Sequence, residues 1–185
     1  MKRAEKREHL VTIATDLFNK FGYRAVGIDQ VIAESGVAKT TLYRHFPSKE
    51  DLIVAVLKGI DEEFRSAMRG YVDEHTRKGE NKLLVTFDYL TSWFADDTFY
   101  GCPFINAAGE YGDRNSAVFN AAILHKRLMV AYFEELARAD DLDQPQKVAE
   151  EINLLHEGAI AVAHITSDTT IAEKAKTAAR KLVEV

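Results

Sequence analysis

Residues 36–52, GVAKTTLYRHFPSKEDL, concentrate side chains whose chemistry suits contact with nucleic acid. Lysine and arginine can meet guanine edges or phosphates, threonine can donate to phosphate or touch a thymine methyl, and a tyrosine hydroxyl can donate to the DNA backbone. The residues available for such contacts are Lys39, Thr40, Thr41, Tyr43, Arg44 and His45. A helical hairpin whose polar face is simply solvated is the alternative interpretation.

The elements that must position these side chains are two short helices joined by a tight turn. Residues 28–35 are expected to form a helix that ends at Gly36. Residues 38–45 form the next one, which ends at Phe46-Pro47 because the residue before a proline is pushed out of the helical region. This pattern predicts a helix-turn-helix, whose second helix lies in the DNA major groove. The side chains expected to face inward, against Ile28, Val31 and the first helix, are Val37, Leu42 and Phe46.

Apolar periodicity predicts helices along the rest of the chain and no strand. The first helix should stop at Gly22, and a fourth should open at Ser48, where Asp51 completes a Ser-x-x-Asp capping box. Their apolar stripes contain Leu10, Ile13, Ala14, Leu17, Phe18 and Phe21, and then Ile53, Val56, Ile60, Phe64, Ala67 and Tyr71. Later helices are expected at roughly 81–96, 103–111, 116–139, 145–166 and 169–184. The sequence therefore predicts an all-α fold of about nine helices, with a three-helix helix-turn-helix domain at 1–48 and a larger helical domain at 49–185.

The formal net charge of −5 is distributed unevenly along the chain. Residues 1–49 carry nine Lys or Arg against five Asp or Glu, whereas the remainder carries fifteen against twenty-four. Such an asymmetry indicates an N-terminal module that faces a polyanion, joined to an acidic body.

The sequence also indicates the cellular compartment of the protein. We expect a cytoplasmic protein without a membrane partner, since no run of about 18 apolar residues and no secretory signal pattern is present. Cys102 is the only cysteine, so an internal disulfide is excluded. A thiolate at a helix N-terminus would be activated, and both a redox role and a packing role stay open for Cys102.

Residues 18–52, FNKFGYRAVGIDQVIAESGVAKTTLYRHFPSKEDL, closely resemble the DNA-binding signature of the tetracycline-repressor-like (TetR/AcrR) family. The shared pattern runs F-x-x-x-G, I-A-x-x-A-G-V, T-L-Y-x-H-F and S-K-E-x-L. The chain departs from it at Val26-Gly27 and Ala38, where usual N-cap hydroxyls are missing, and at Ile32, where a small residue is usual. The resemblance implies that Lys49 grips phosphate and that the recognition helix touches DNA through Thr40, Thr41, Tyr43, Arg44 and His45.

Two later stretches, GCPFINAAGEYGD at 101–113 and LLHEGAIAVAHI at 154–165, resemble the C-terminal domain of one subgroup of such regulators. The resemblance implies a helical sensor domain with a small-molecule cavity, and a homodimer formed by the last two long helices. Two-fold symmetry then implies a palindromic double-stranded DNA operator. The candidate interface residues are Leu155, Ala159, Val162, Ala163, Ile171, Ala175, Ala178 and Leu182.

Aromatic and sulfur-bearing side chains of the second half are candidates for contact with the effector. They are Phe64, Met68, Tyr89, Trp93, Phe94, Phe99, Phe104, Phe119, Met129 and Tyr132, most of which are also suited to a plain core. Polar groups that could orient a ligand are Asn106, Glu110, Tyr111, His125 and His156. Each of these has a structural hydrogen-bonding role as its alternative.

Catalytic and metal-binding motifs are missing from the sequence. It has no H-E-x-x-H, no Glu-x-x-His, no P-loop and no nucleophile elbow, so we expect neither an enzyme nor a cofactor or metal. A helical protein-interaction module without DNA stays open as a further class. The regulator interpretation predicts a repressor released when a ligand shifts the fourth helix, with activation left open and the effector and operator sequence unspecified.

Overall fold

The computed structural model describes residues 2–183 and is helical throughout, with nine α-helices and no strand in that range. The helices are α1 Arg3–Phe21, α2 Ile28–Ser35, α3 Lys39–His45, α4 Lys49–His75, α5 Lys82–Phe94, α6 Pro103–Tyr111, α7 Ala117–Ala139, α8 Pro145–Thr166 and α9 Ile171–Val183. The all-α prediction is confirmed, and most predicted boundaries agree within two residues. Residue 184, the predicted end of the last helix, lies outside the described residues.

The chain divides into two compact units whose boundaries fall inside helices. Unit 1 comprises the chain up to Glu62 together with Pro103–Leu124, and unit 2 comprises Glu63–Cys102 and the chain from His125 onward. The units therefore do not divide at residue 48, where the sequence predicted the first domain to end. Assignment of ligand sensing and dimerisation to residues 49–185 stays a prediction.

The core of unit 1 forms where α1, α2 and α3 pack against one another. Its fully buried members from these helices and the loops beside them include Leu10, Ala14, Phe18, Val31, Leu42 and Phe46. Gly22 ends α1 with φ +90°, a conformation that glycine adopts without steric cost. Phe21 does not continue the buried stripe, contrary to prediction, because it is the last residue of α1 and remains 51% exposed.

The start of α4 is fixed by the predicted capping box. Asp51 N–H donates to Ser48 Oγ at 3.1 Å, while Ser48 N–H donates to the Asp51 carboxylate at 2.9 Å. The apolar stripe of this helix was predicted less well, because Ala67 is exposed whereas Met68 and Val72 are buried. The buried face turns along α4 since its two halves belong to different units.

Unit 2 is built on α5, α8 and α9, which pack against one another and enclose paired polar groups. Lys176 donates to both carboxylate oxygens of Asp88 at 2.7 Å and is only 9% exposed. Lys126 lies 2.7 Å from both carboxylate oxygens of Glu157 and donates to Cys102 Sγ at 3.2 Å. These pairs satisfy groups that would be costly to bury alone.

His156 on α8 is a buried member of the same core. Thr86 donates its hydroxyl proton to Leu83 O at 2.6 Å, so its oxygen accepts from His156 Nε2 at 2.8 Å. Burial lowers the pKa of His156 to about 3. The imidazole is therefore neutral at physiological pH, packed against the rings of Phe87 and Phe133. Within residues 2–183, no helix has the length and apolar character needed to cross a membrane.

Candidate nucleic-acid interface

The turn between α2 and α3 depends on Gly36. This residue has φ +65°, in the left-handed region, and its N–H donates to Ile32 O at 3.0 Å. Glycine enters this conformation without the Cβ penalty, which makes it the usual helix C-cap. The N-caps Gly27 and Ala38 make no side-chain hydrogen bond, as expected from the missing hydroxyls. The two short helices are thus held by the Gly36 turn and by packing rather than by side-chain N-caps.

Helix α3 has a buried side and an exposed side. Leu42 is fully buried and Phe46, which follows the helix, is 2% exposed. The opposite side carries the exposed residues Thr40, Tyr43 and Arg44. Burial of one face fixes the rotation of the helix, so the polar side chains must point outward together. The structure therefore brings three of the seven predicted DNA-contacting residues onto one exposed face, whereas Thr41, His45 and Lys49 are half-buried.

Two of the predicted cations already have partners within unit 1. Lys39 Nζ donates to Asp29 Oδ1 at 2.9 Å, and this hydrogen bond raises the pKa of Lys39. Lys49 Nζ donates to the backbone oxygen of Arg24 at 3.1 Å, while burial lowers the pKa of Lys49. Lys49 is thus held against the α1–α2 loop, and Lys39 would have to exchange Asp29 for a phosphate.

The C-terminal end of α3 lies in a strongly basic environment. The pKa of His45 is lowered, first by burial and then by the positive charges of Arg3, Arg7, Arg44 and Lys6. The guanidinium of Arg7 also lies 5.2 Å from the centre of the Phe46 ring. Basic residues near the start of α1 therefore lie beside the C-terminal end of α3. The sequence-based set of contact residues did not include them.

Glu110 on α6 holds the loop that leads into α2. Its carboxylate accepts hydrogen bonds from Tyr23 N–H at 3.0 Å and Arg24 N–H at 2.6 Å, all within unit 1. Both oxygens are thereby engaged, so the geometry assigns Glu110 a structural contact where the sequence analysis expected an effector contact. No sequence pattern identifies this pairing, because the partners are backbone groups more than eighty positions away.

The aromatic candidates for effector binding form a cluster within unit 2. The ring of Phe64 lies 5.4 Å from Tyr89, 4.9 Å from Trp93 and 6.1 Å from His125. Phe64, Tyr89 and Trp93 are half-buried, and burial raises the pKa of Tyr89 to about 12, so its hydroxyl stays protonated. We call these four residues the aromatic cluster.

The remaining effector candidates are dispersed. Met68, Phe94, Met129 and His156 are buried in unit 2, where His156 is engaged by Thr86. Phe104, Asn106 and Glu110 belong to unit 1. Within residues 2–183, no group of three or more His, Cys, Asp or Glu side chains is placed to hold a metal ion.

The candidate dimer residues do not share one exposed face. Ala159 and Ala163 on α8 are each only 3% exposed within the single chain, so they cannot form the centre of an interface without unfolding. The exposed apolar face of α8 lies on the other side and contains Leu154, Gly158, Ala161, Val162 and Ile165. Only Val162 of the predicted α8 residues lies on this exposed face, which is rotated by about 100° around the helix axis from the predicted one. Ala178 is exposed, whereas Leu155, Ile171, Ala175 and Leu182 are half-buried.

Comparison with known proteins supports the all-α fold and the helix-turn-helix. Residues 10–56 match the family model described as bacterial regulatory proteins, tetR family. The chain is 25% identical to the HTH-type transcriptional regulator LmrA of Bacillus subtilis, with 92% of both chains covered. It is 36% identical to the HTH-type transcriptional activator FasR of Mycolicibacterium smegmatis over 49% of this chain and 50% of FasR. The match therefore spans half the length of that relative.

The crystal structure of a TetR-family transcriptional regulator from Streptomyces coelicolor has a TM-score of 0.83 to this chain at 27% identity. The superposition covers 98% of this chain and 95% of that one. The fold and the helix-turn-helix thus define a transcriptional regulator rather than an enzyme. Residues 10–56 belong to the TetR family, and the chain shares the fold of a TetR-family regulator.

Proposed function

We propose that the chain reads a double-stranded operator through the exposed face of α3. The observation that carries this proposal is the orientation of Thr40, Tyr43 and Arg44, which point outward from a helix anchored by the buried Leu42. A second helix oriented in this way enters the major groove. A simply solvated hairpin would not require three hydrogen-bonding side chains on the face opposite that anchor.

The side chains of this face would take different roles. Arg44 can donate two hydrogen bonds to a guanine edge, which is the commonest specific contact in the major groove. Thr40, Thr41 and Tyr43 can donate to phosphate, as can Lys39 after leaving Asp29. Lys49 and His45 would contact the backbone beside the groove.

We propose further that the operator is palindromic and is bound by a homodimer. The exposed apolar face of α8, with Leu154 71% and Ile165 80% exposed, supports association of two copies. Burial of one such side chain contributes about 1.5–3 kcal/mol. Two recognition helices would then meet half-sites about 34 Å apart.

A small-molecule effector would act through α4. The first residue of this helix, Lys49, lies beside the DNA-reading surface, and the same helix carries Phe64 of the aromatic cluster. A ligand that binds this cluster and shifts α4 would change the spacing of the recognition helices. DNA affinity would fall by the factor by which the ligand binds the DNA-released conformation more tightly than the DNA-bound one. Repression relieved by ligand is the expected outcome, and the name of FasR gives activation as the alternative.

Selection of bound duplexes from a random pool tests the DNA-binding part of this proposal. The full chain should enrich one palindromic sequence, and the same selection with Arg44→Ala should lose preference at particular positions of it. Thr12→Ala, a change at an exposed position on the side of α1 opposite the buried Leu10, provides a folded control. If no sequence were enriched at any salt concentration, a protein-interaction module would replace the regulator mechanism proposed here.

A compound screen on the selected duplex tests the effector part. Compounds that release the wild-type protein should act less on Trp93→Ala, which removes an indole of the aromatic cluster. Equal release of wild type and variant by every active compound would place the effector elsewhere in the chain.

A further inference from the structure

We propose that the basic face of α1, formed by Arg3, Lys6 and Arg7, is a second DNA-binding surface that contacts phosphates flanking the half-site read by α3. This inference rests on the proposed function, because it assumes that α3 contacts a duplex. It assigns the phosphodiester backbone outside the recognised base pairs as the ligand of this surface.

The helical register places the three cations together. With about 100° of rotation per residue, Arg3, Lys6 and Arg7 lie on the same side of α1 as the buried Leu10. Glu5 and Glu8 fall on the opposite side. The first two turns of α1 therefore separate positive from negative charge, although their net charge is small.

Contacts within unit 1 direct this face toward the recognition helix. The Arg7 guanidinium lies 5.2 Å from the Phe46 ring centre, immediately beyond the C-terminal end of α3. Arg3, Lys6 and Arg7 are also close enough to His45 to act on its protonation. The basic face of α1 thus lies beside the C-terminal end of α3, next to His45 and Phe46.

The charges on this face are available to an external partner. Among residues 2–183, none of Arg3, Lys6 and Arg7 forms an ion pair, and Arg3 and Arg7 are exposed. Lys39 and Lys49, by contrast, are already held by Asp29 and by a backbone oxygen. Like charges gathered without internal counterions create a positive potential that favours a polyanion.

The dimensions of α3 explain why such a surface would be useful. Seven helical residues extend about 10 Å, whereas each DNA strand carries one phosphate per roughly 3.4 Å of helix axis. Recognition by α3 alone therefore leaves the neighbouring phosphates without a protein contact. Long basic side chains beyond the end of α3 are suited to reach them.

The test compares the salt dependence of operator binding in charge-matched variants. Arg3→Gln with Lys6→Gln removes two charges from the proposed surface and keeps Arg7, which packs on Phe46. Lys20→Gln with Lys58→Gln removes two exposed charges from elsewhere in unit 1. Each lost phosphate contact should reduce the slope of log K against log salt by about 0.9. The magnitude of this slope should therefore fall by about 1.8 per protomer in the Arg3/Lys6 variant, and the Lys20/Lys58 control should keep the wild-type slope.

Duplex length provides a second readout that a general charge effect would not change. Extending the selected operator by several base pairs at each end should strengthen wild-type binding and that of the Lys20/Lys58 control. The Arg3/Lys6 variant should gain much less. Arg3→Lys with Lys6→Arg, which preserves both charges, should restore the wild-type slope and length dependence.

Equal slopes and equal length dependence for the Arg3/Lys6 variant and the control would overturn the inference. In that case sequence-specific binding by the wild type would still uphold the proposed function. If the wild type itself enriched no operator, the proposed function would fail and the inference with it. Circular dichroism of each variant confirms that the fold is retained.

Discussion

Glu110 provides a sharp test of how the helix-turn-helix is held in place. Its two carboxylate oxygens accept from Tyr23 N–H and Arg24 N–H, at the loop that leads into α2. The Glu110→Ala change removes both acceptors. The Glu110→Gln change keeps one oxygen acceptor but removes the charge and places an amide donor beside an N–H group.

The two hydrogen bonds differ in worth because their surroundings differ. The bond to Tyr23 N–H is partly buried, whereas the bond to Arg24 N–H is exposed, so water can replace the second. A hydrogen bond to a charged group contributes about 1.5–3 kcal/mol. We therefore expect Glu110→Ala to lower the free energy of local opening at Tyr23 by about that amount, and Glu110→Gln by roughly half.

Amide hydrogen exchange measures this opening directly. The protection of the Tyr23 amide should fall about tenfold to a hundredfold in Glu110→Ala, since about 1.4 kcal/mol corresponds to a factor of ten. Glu62→Gln, an exposed charge removal on α4 in the same unit, serves as the control and should leave this protection unchanged. Unchanged Tyr23 protection in Glu110→Ala, with a lost response to effector, would refute the structural role and restore the ligand-orienting role.

Three further outcomes follow from the geometry of unit 2 and the exposed face of α8. Asp88→Ala alone should lower the free energy of unfolding by about 3 kcal/mol, because it leaves the buried Lys176 ammonium without its partner. Replacement of both Asp88 and Lys176 by apolar residues should be nearly neutral. Urea titrations that give the single and the double variant the same loss of unfolding free energy would contradict this. Leu154→Glu should weaken self-association in sedimentation equilibrium and Leu124→Glu, also exposed, should not. Burial lowers the pKa of His156 to about 3 in the folded state, below the ordinary histidine value of about 6.5, so between these values acid protonates only the unfolded chain. As the pH is lowered through this range, the free energy of unfolding of the wild type should fall more steeply than that of His156→Gln, by about 1.4 kcal/mol per pH unit. Parallel pH profiles of the two proteins would argue against a buried neutral imidazole.

Helix positions were predictable because their signals are local. Gly22, Gly36 and Phe46-Pro47 each end a helix at the expected residue, and the Ser48–Asp51 capping box forms as predicted. These features act through neighbouring backbone groups, so a short stretch of sequence contains the whole cause.

The faces of long helices were harder to predict because they depend on partners distant in sequence. The small residues Ala159 and Ala163 were expected at a dimer interface, but they are buried in their own chain. A small side chain allows close packing against a helix of the same chain or against a helix of a second copy. The sequence does not distinguish these two cases. Leu154 and Ile165, which are exposed, gave the more direct signal of a free apolar face.

The sequence predicted residues that lie on the exposed face of α3. It did not predict the ion pairs and hydrogen bonds that these residues and their neighbours form. Arg44 and Tyr43 could be placed on the outer face of α3 from periodicity alone. The pairing of Lys39 with Asp29 and the hold of Glu110 on the α1–α2 loop arise only after folding. The approach of Arg7 to Phe46 is likewise a tertiary contact.

Base reading by the exposed face of α3 can be tested directly by measuring how DNA affinity depends on each base pair. Affinities of wild type and Arg44→Ala should be measured for the selected operator and for every single base-pair change in it. Arg44→Ala should lose discrimination of about 1–3 kcal/mol at one or two base pairs in each half-site and keep it elsewhere. A uniform loss of affinity across all duplexes would contradict base reading by Arg44 and reassign this side chain to the DNA backbone.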